Sequence, residues 1–317
     1  MLTLIARKLL ELLITLAGLA VLVFVLLRVI PGDVAEAKLQ AEGGVVSREL
    51  VDIERARLGL DRPLVVQFFD WSGGLLRGDL GKSMLTGRDV STEISTRLGV
   101  TVQVAVMAIL IGLVVAVPLG ITAAVRNGGW IDQFVRLLAV VGLSIPPFWL
   151  GMLVLLGLLM GFGWMPSVES IPFSRDPLAN LGQLIWPAAV VGLRLSAMVA
   201  RMLRSSLLEV MNEDYIRTAR ARGVGESAIV VRHALRNAVL PTITVLGMEF
   251  AFLLGGLVVT EQVFNLNGIG RLLIQSVSYN DLTLVQGLVM MFAAFLITVN
   301  FLTDMLCVAL DPRIRVH

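Results

Sequence analysis

Histidine, cysteine and charge are all scarce in this chain. Two histidines, His233 and His317, leave little scope for a histidine-based metal site. A single cysteine, Cys307, excludes an intrachain disulfide. Charged residues are 16% of the 317, where soluble chains carry roughly 25%. No nucleophile–base pair, metal-ligand spacing or nucleic-acid-binding feature is present. The nearest approach to a nucleotide site is Leu80-Gly81-Lys82-Ser83. A phosphate loop needs glycine five residues before Gly81, and that position is Leu76. The chain is therefore expected to have no catalytic residue and no metal ligand, and to bind no cofactor itself.

What is abundant is apolar. Hydrophobic residues are 56% of the chain and the mean hydropathy is +0.85. A bilayer core about 30 Å thick needs about 20 apolar residues in a helix. Six stretches qualify: Leu9–Ile30, Val100–Val125, Phe134–Phe162, Leu184–Leu203, Val239–Phe264 and Leu284–Leu310. Lipid offers the backbone no hydrogen-bond partner, so each is expected to be helical. Pro118, Pro146, Pro147 and Pro187 fall within or near these spans and predict local kinks. The fold class is all-α: a polytopic membrane protein of six transmembrane helices. Ala35-Glu36-Ala37 resembles a signal cleavage site, but the first apolar run exceeds a signal core and reads as an uncleaved anchor.

Charge sets the topology. Arg7 and Lys8 before the first span place the N-terminus in the cytoplasm. Alternation then puts 126–133, 204–238 and 311–317 inside, and these carry most of the loop arginines. The outside loops 163–183 and 265–283 carry only Arg175 and Arg271. The expected division is an N-terminal span (1–30), an extracytoplasmic segment (31–99), a five-helix core (100–310) and a cytoplasmic tail (311–317). Within segment 31–99, Ser47–Leu58 reads as a helix with Ser47 as N-cap. Leu60-Asp61-Arg62-Pro63 reads as a turn. Leu64–Leu76 reads as an amphipathic helix carrying Phe68, Phe69 and Trp71.

The polar interruption Asp214–Pro241 is the most informative stretch. Asp214–Ala221 has good helix formers, with Tyr215 and Ala219 on one face. Gly223 and Gly225 end that helix and allow a turn. A second helix, Glu226–Leu235, leads to Pro241. Seven arginines and four acids lie between Arg201 and Arg236. Two readings stand: a hairpin anchored on anionic headgroups, or a short helix that fits a cleft on another protein. Within the spans, Arg194 and Glu249 are costly charges that should face a bundle interior or water. They either pair with each other or line a path. Arg201 is expected to snorkel. Asp304 is assigned to a helix contact or an inner gate.

Thr218-Ala219-Arg220-Ala221-Arg222-Gly223, followed by Leu240-Pro241, resembles the cytoplasmic loop of ABC importer permeases. Thr218 stands where that loop has glutamate, and the glycine-to-proline spacing is longer. Those departures are similar to one branch, the dipeptide/oligopeptide/nickel permeases of the B-subunit type. The likeness extends through Arg28-Val29-Ile30-Pro31-Gly32-Asp33, Gly59–Pro63, Gly78-Asp79-Leu80-Gly81-Lys82-Ser83, Gly142–Trp149 and Leu310–Arg315.

The resemblance implies a type I importer permease fold in the bacterial inner membrane. It implies a heterodimer with a second, homologous permease, two ATP-binding subunits on the cytoplasmic face and an extracytoplasmic solute-binding protein. ATP and magnesium would belong to the ATPase partners. Asp214, Tyr215, Arg217, Thr218, Ala219, Arg222 and Gly223 would form the ATPase-coupling helix and its hinge. The branch implies a di- or oligopeptide cargo, with a nickel chelate, glutathione, an opine or an oligosaccharide as alternatives. A stand-alone secondary transporter or channel would instead predict an internal repeat with matched broken helices, which the sequence does not display. A structural scaffold would leave Arg194 and Glu249 unexplained.

Overall fold

The computed structural model describes residues 2–29, 34–41, 47–167 and 170–310. The tail 311–317 and the Ile30–Asp33 end of the first-span motif lie outside the described residues. Among the described residues the regular elements are helices, with one isolated bridge between Lys82 and Asp89. In chain order they are α1 (Leu2–Val29), α2 (Val34–Ala41), α3 (Arg48–Arg57), α4 (Leu64–Leu76), α5 (Val90–Val125), α6 (Trp130–Ser144) and α7 (Pro147–Phe162). Then follow α8 (Pro177–Val210), α9 (Asp214–Ala221), α10 (Glu226–Ala228), a π-helical turn (Ile229–Ala234), α11 (Leu235–Val263), α12 (Ile269–Ser278) and α13 (Leu282–Leu310).

Four described helical stretches are long and apolar enough to cross a membrane: Val90–Val125, Pro177–Val210, Glu226–Phe250 and Leu282–Val308. In α1 the described apolar stretch is Leu10–Leu26. The expected span Phe134–Phe162, with kinks at Pro146 and Pro147, forms as two helices, α6 and α7, bent by 101°. The cause is Ile145-Pro146-Pro147. A residue before proline is driven out of the helical region, and proline offers no N–H to the turn behind it. Ile145 and Pro146 accordingly have ψ of 123° and 133°. Isolated Pro118, Pro187 and Pro241 stay inside continuous helices.

The chain divides into two compact units, Met1–Gly99 with Asn267–Ile297, and Val100–Leu266 with Thr298–His317. In the first, α4 packs on α1 through Phe24, whose ring lies 5.2 Å edge-on to Phe68 and 5.9 Å from Trp71. Ser47 caps α3, accepting from the Leu50 N–H at 3.3 Å. Lys38 on α2 reaches Glu54 on α3 at 2.8 Å. The Gly78–Ser83 motif is a clamp. Gly81 adopts φ +82°, and the buried Ser83 hydroxyl donates to Asp281 at 2.5 Å. Asp281 also accepts from the N–H groups of Met84 and Leu284. Val90, Ile94, Ile269, Leu272, Leu284 and Leu288 form the core there.

The second unit is built around α8. Its small residues let neighbouring backbones approach closely, as between membrane helices. A Cβ on Gly192 would lie 2.7 Å from the Ala108 carbonyl of α5. Gly112 of α5 faces Leu195 in the same crossing, and Gly142 of α6 faces Ala197. Leu184, Ala188 and Val191 of α8 join Val104 and Ala108 of α5 and Leu253 and Leu257 of α11 in one apolar cluster.

Candidate functional site

The polar segment folds as a short helix held by one apolar anchor. An eight-residue helix is marginal alone, so α9 depends on docking. Ile216 is its one buried residue and has no exposed surface. It packs with Ala124 of α5, Leu207 of α8, Ile229, Val230 and Ala234 of the π turn and Ala238 of α11. Tyr215 adds a polar tether, its hydroxyl accepting from the Asn237 side-chain amide at 2.8 Å.

The end of α9 is set by Gly223, which adopts φ +78°. Its N–H bonds the Arg220 carbonyl at 2.9 Å, and the Val224 N–H bonds the Ala219 carbonyl at 3.2 Å. These are the paired bonds of a Schellman end, which needs a left-handed residue at this position. Val224 and Ala219 both pack against the Ile216 cluster. Ala219 therefore faces the chain's own core. Gly225 has φ −66° and starts α10, so Gly223 alone makes the left-handed turn. Arg220 bridges the turn to Glu226 at 2.6 Å, and this carboxylate raises the guanidinium above its ordinary value.

The opposite face points to solvent. Asp214, Arg217, Thr218, Ala221, Arg222 and Gly223 are all exposed. Arg217 lies 3.4 Å from Asp214, and the Thr218 hydroxyl donates to the Asp214 carbonyl at 3.0 Å. The expected second helix, Glu226–Leu235, forms in part as a π turn. There the Leu235 N–H bonds the Val230 carbonyl five residues back. The helix then continues through Pro241 into α11.

Arg194 is exposed on α8, on a helix otherwise largely buried, and Glu249 is half-buried on α11. No ion pair or hydrogen bond joins them among the described residues. Arg201 is exposed further along α8, and Asp304 lies exposed on α13. The structure thus brings the α9 residues together and leaves Arg194 and Glu249 apart.

Three acids that the sequence does not single out, Asp132, Glu261 and Asp281, are almost completely buried. Asp132 at the start of α6 has no exposed surface. It accepts from Arg204 of α8, from Arg136 at 2.8 Å and from the Gly128 N–H at 3.0 Å. Arg204 also reaches Asn127 at 3.2 Å. Glu261 near the end of α11 is fully buried and accepts from Thr101 at 2.5 Å. Asp281 holds Ser83, as described. Only Asp132 carried a local signal, Arg136 one turn later on the same helix. Among the described residues no cluster of three or more histidine, cysteine or acidic side chains could hold a metal ion.

The sequence matches the family of binding-protein-dependent transport system inner membrane components over residues 116–316. It matches the N-terminal domain of such membrane components over residues 1–105. It is 42% identical over 296 residues to a putative peptide transport system permease protein of Brucella abortus, covering 93% of each chain. It is 39% identical over 315 residues to the glutathione transport system permease protein GsiC of Salmonella typhimurium, covering 99% of each. Among solved structures, an inward-facing MetNI methionine ABC transporter chain aligns with a TM-score of 0.51. That alignment covers 68% of this chain and 95% of that one at 20% identity, a likeness of fold.

Proposed function

The chain belongs to the binding-protein-dependent transport system inner membrane component family and is a permease subunit of an ABC importer, and from that premise we propose that it moves peptides and that α9 is its coupling helix. The observation that carries the second point is the division of α9 into two faces. One face is fixed to four helical elements by Ile216, and the other presents Asp214, Arg217, Thr218, Arg222 and Gly223 to solvent. A rigid anchor behind an exposed polar face suits force transmission better than headgroup anchoring, which needs no fixed orientation. In this reading the exposed face sits in a groove of an ATPase subunit, and ATP and magnesium act there. A second permease completes the path, and a solute-binding protein delivers cargo to the opposite side. Both termini lie in the cytoplasm.

The peptide cargo rests on the Brucella relative's name. The glutathione relative supports a small-peptide variant of the same reading. Arg194 lines the path in this proposal. It is a membrane-depth cation left exposed by its own chain, which suits contact with a cargo carboxylate or the sibling subunit.

Co-purification and reconstitution test the proposal. A sibling permease and an ATPase pair should come down with the chain, and the assembled complex should take up labelled peptide with ATP. Uptake by the isolated chain would refute it. Arg194→Ala should lower uptake while assembly and basal ATP hydrolysis persist. Loss of assembly would instead make Arg194 a structural residue.

A further inference from the structure

Helix α4 is apolar on two opposite faces. One face, with Phe68 and Trp71, packs on Phe24 of α1. The other carries Val65, Phe69 and Leu76, spaced by whole turns and exposed at 66%, 67% and 91%. Leu64 and Val66 beside them are exposed too. Asp70 is the one charge inside the helix, and it is paired with Arg62 at 3.3 Å. Other charges stand at the ends, Asp61 and Arg62 before it and Arg77 and Asp79 after it. A helix apolar around most of its circumference is stable only where both faces are kept from water. Its own chain covers one of them.

The position of α4 identifies what covers the other. The described apolar stretch of α1, Leu10–Leu26, ends just before Arg28, in the last turn of that helix. Arg28 donates to the Gln67 side-chain carbonyl of α4 at 3.0 Å, and its guanidinium lies 4.0 Å over the Phe24 ring. A cation just past an apolar run marks the headgroup level of a bilayer. Gln67 therefore lies at that level. Phe68 and Trp71 meet Phe24 one turn deeper, at the acyl boundary, where an indole is at home. Val21, Leu22, Val25 and Leu26 of α1 are exposed as well, so the open apolar surface of α1 adjoins α4. At 13 residues, α4 is about 20 Å long, too short to cross a core about 30 Å thick.

We propose that α4 is an interfacial anchor, lying in the bilayer surface at the Val29 end of α1, with Val65, Phe69 and Leu76 among the acyl chains of that leaflet. In the topology proposed above this is the outer leaflet. The anchor holds the Leu58–Arg62 turn and the Gly78–Ser83 motif, at its two ends, at the membrane surface. The inference stands apart from α9 and from the identity of the cargo. A partner protein on the same face is separated by the test.

The experiment uses the full chain in phosphatidylcholine nanodiscs. Val65→Cys and Phe69→Cys are each made in a Cys307→Ser background and spin-labelled. Relaxation by oxygen, which partitions into acyl chains, is compared with relaxation by a water-soluble nickel chelate. Both labels should lie about 5–10 Å into the headgroup–acyl boundary. Their accessibility should resemble that of a label at Leu22 of α1 and differ from one at the exposed Glu49 of α3. A label at either position as open to the nickel chelate as one at Glu49 overturns the proposal. The measurement is repeated with the co-purifying subunits restored. Labels that then lose access to both reagents also overturn it and assign the face to a partner protein. The unsubstituted chain removes any effect of the labels themselves. A phosphatidylcholine with a photoreactive diazirine in its acyl chain should leave adducts on peptides covering Val65–Leu76, mapped by mass spectrometry. Adducts on α1 with none on α4 overturn the proposal.

Discussion

Ile216→Ala separates the docking of α9 from the stability of the surrounding helices. Ile216 has no exposed surface and is the one buried residue of an eight-residue helix. Truncating a buried aliphatic side chain to alanine costs about 2–5 kcal/mol. Alone, a helix this short would not persist, so the loss falls on the opening of α9 and not on global unfolding. Leu207, Ile229 and Val230 retain their other neighbours in the cluster. At about 3 kcal/mol, the opening equilibrium shifts by roughly 100-fold. Hydrogen–deuterium exchange read by mass spectrometry supplies the assay. Amides between Arg217 and Val224 should exchange roughly 100-fold faster, with α8 protection unchanged. In the assembled importer, ATP hydrolysis should continue while uptake falls. If α9 exchange stays the same while the whole chain loses stability, α9 is no separate docked element. If α9 opens and uptake does not change, it is not the coupling element.

The hinge gives a graded series. An added Cβ at Gly223 meets nothing within 4 Å, so substitution acts through the backbone alone. Gly223→Asn should be tolerated and Gly223→Val should cost about 1–2 kcal/mol, read as α9 exchange and as the ratio of hydrolysis to uptake. Asp132→Ala should lower thermal stability by about 3 kcal/mol or more, because it strips a buried partner from Arg204. Arg136→Ala, on the exposed side of the same cluster, should cost under about 1 kcal/mol. Lys38, by hydrogen bonding, lowers Glu54 below its ordinary value of 4.5. Glu54 binds its proton more weakly in the folded chain, so its contribution is present above pH 4.5 and lost as pH falls through the lowered value. Pairing of α2 with α3, followed by exchange, should be flat at neutral pH and weaken in acid, and Glu54→Gln should remove that dependence.

The sequence resolved what periodicity and composition control. The Ser47 cap, the Leu64–Leu76 helix and the left-handed Gly223 were legible because each is a local event. The 101° bend was half legible. Pro146 and Pro147 marked the place, but a kink and a break differ only in whether the residue before them stays helical, and Ile145 does not. The inward turn of Ala219 was hidden, because helical spacing says which residues share a face and not what that face meets. Asp132, Glu261 and Asp281 were hidden for another reason. Each also takes a donor that lies 72, 160 or 198 residues away along the chain, and no local pattern marks that partner. Arg28 is legible only as part of a motif at the end of a span, and its bond to Gln67 depends on the packing of α1 on α4.

The π-helical turn at Ile229–Ala234 holds one residue more than a regular α-helix would over the same path. Such a turn is a reservoir of chain length. Removing a single residue there lets the backbone relax to ordinary helix while Asn237 stays within reach of Tyr215. The same deletion one turn into α11 would rotate everything beyond it by about 100° and carry Leu253 and Leu257 off the core. Variation in length among chains of this fold should therefore concentrate at the foot of α11, where the helix has slack to give.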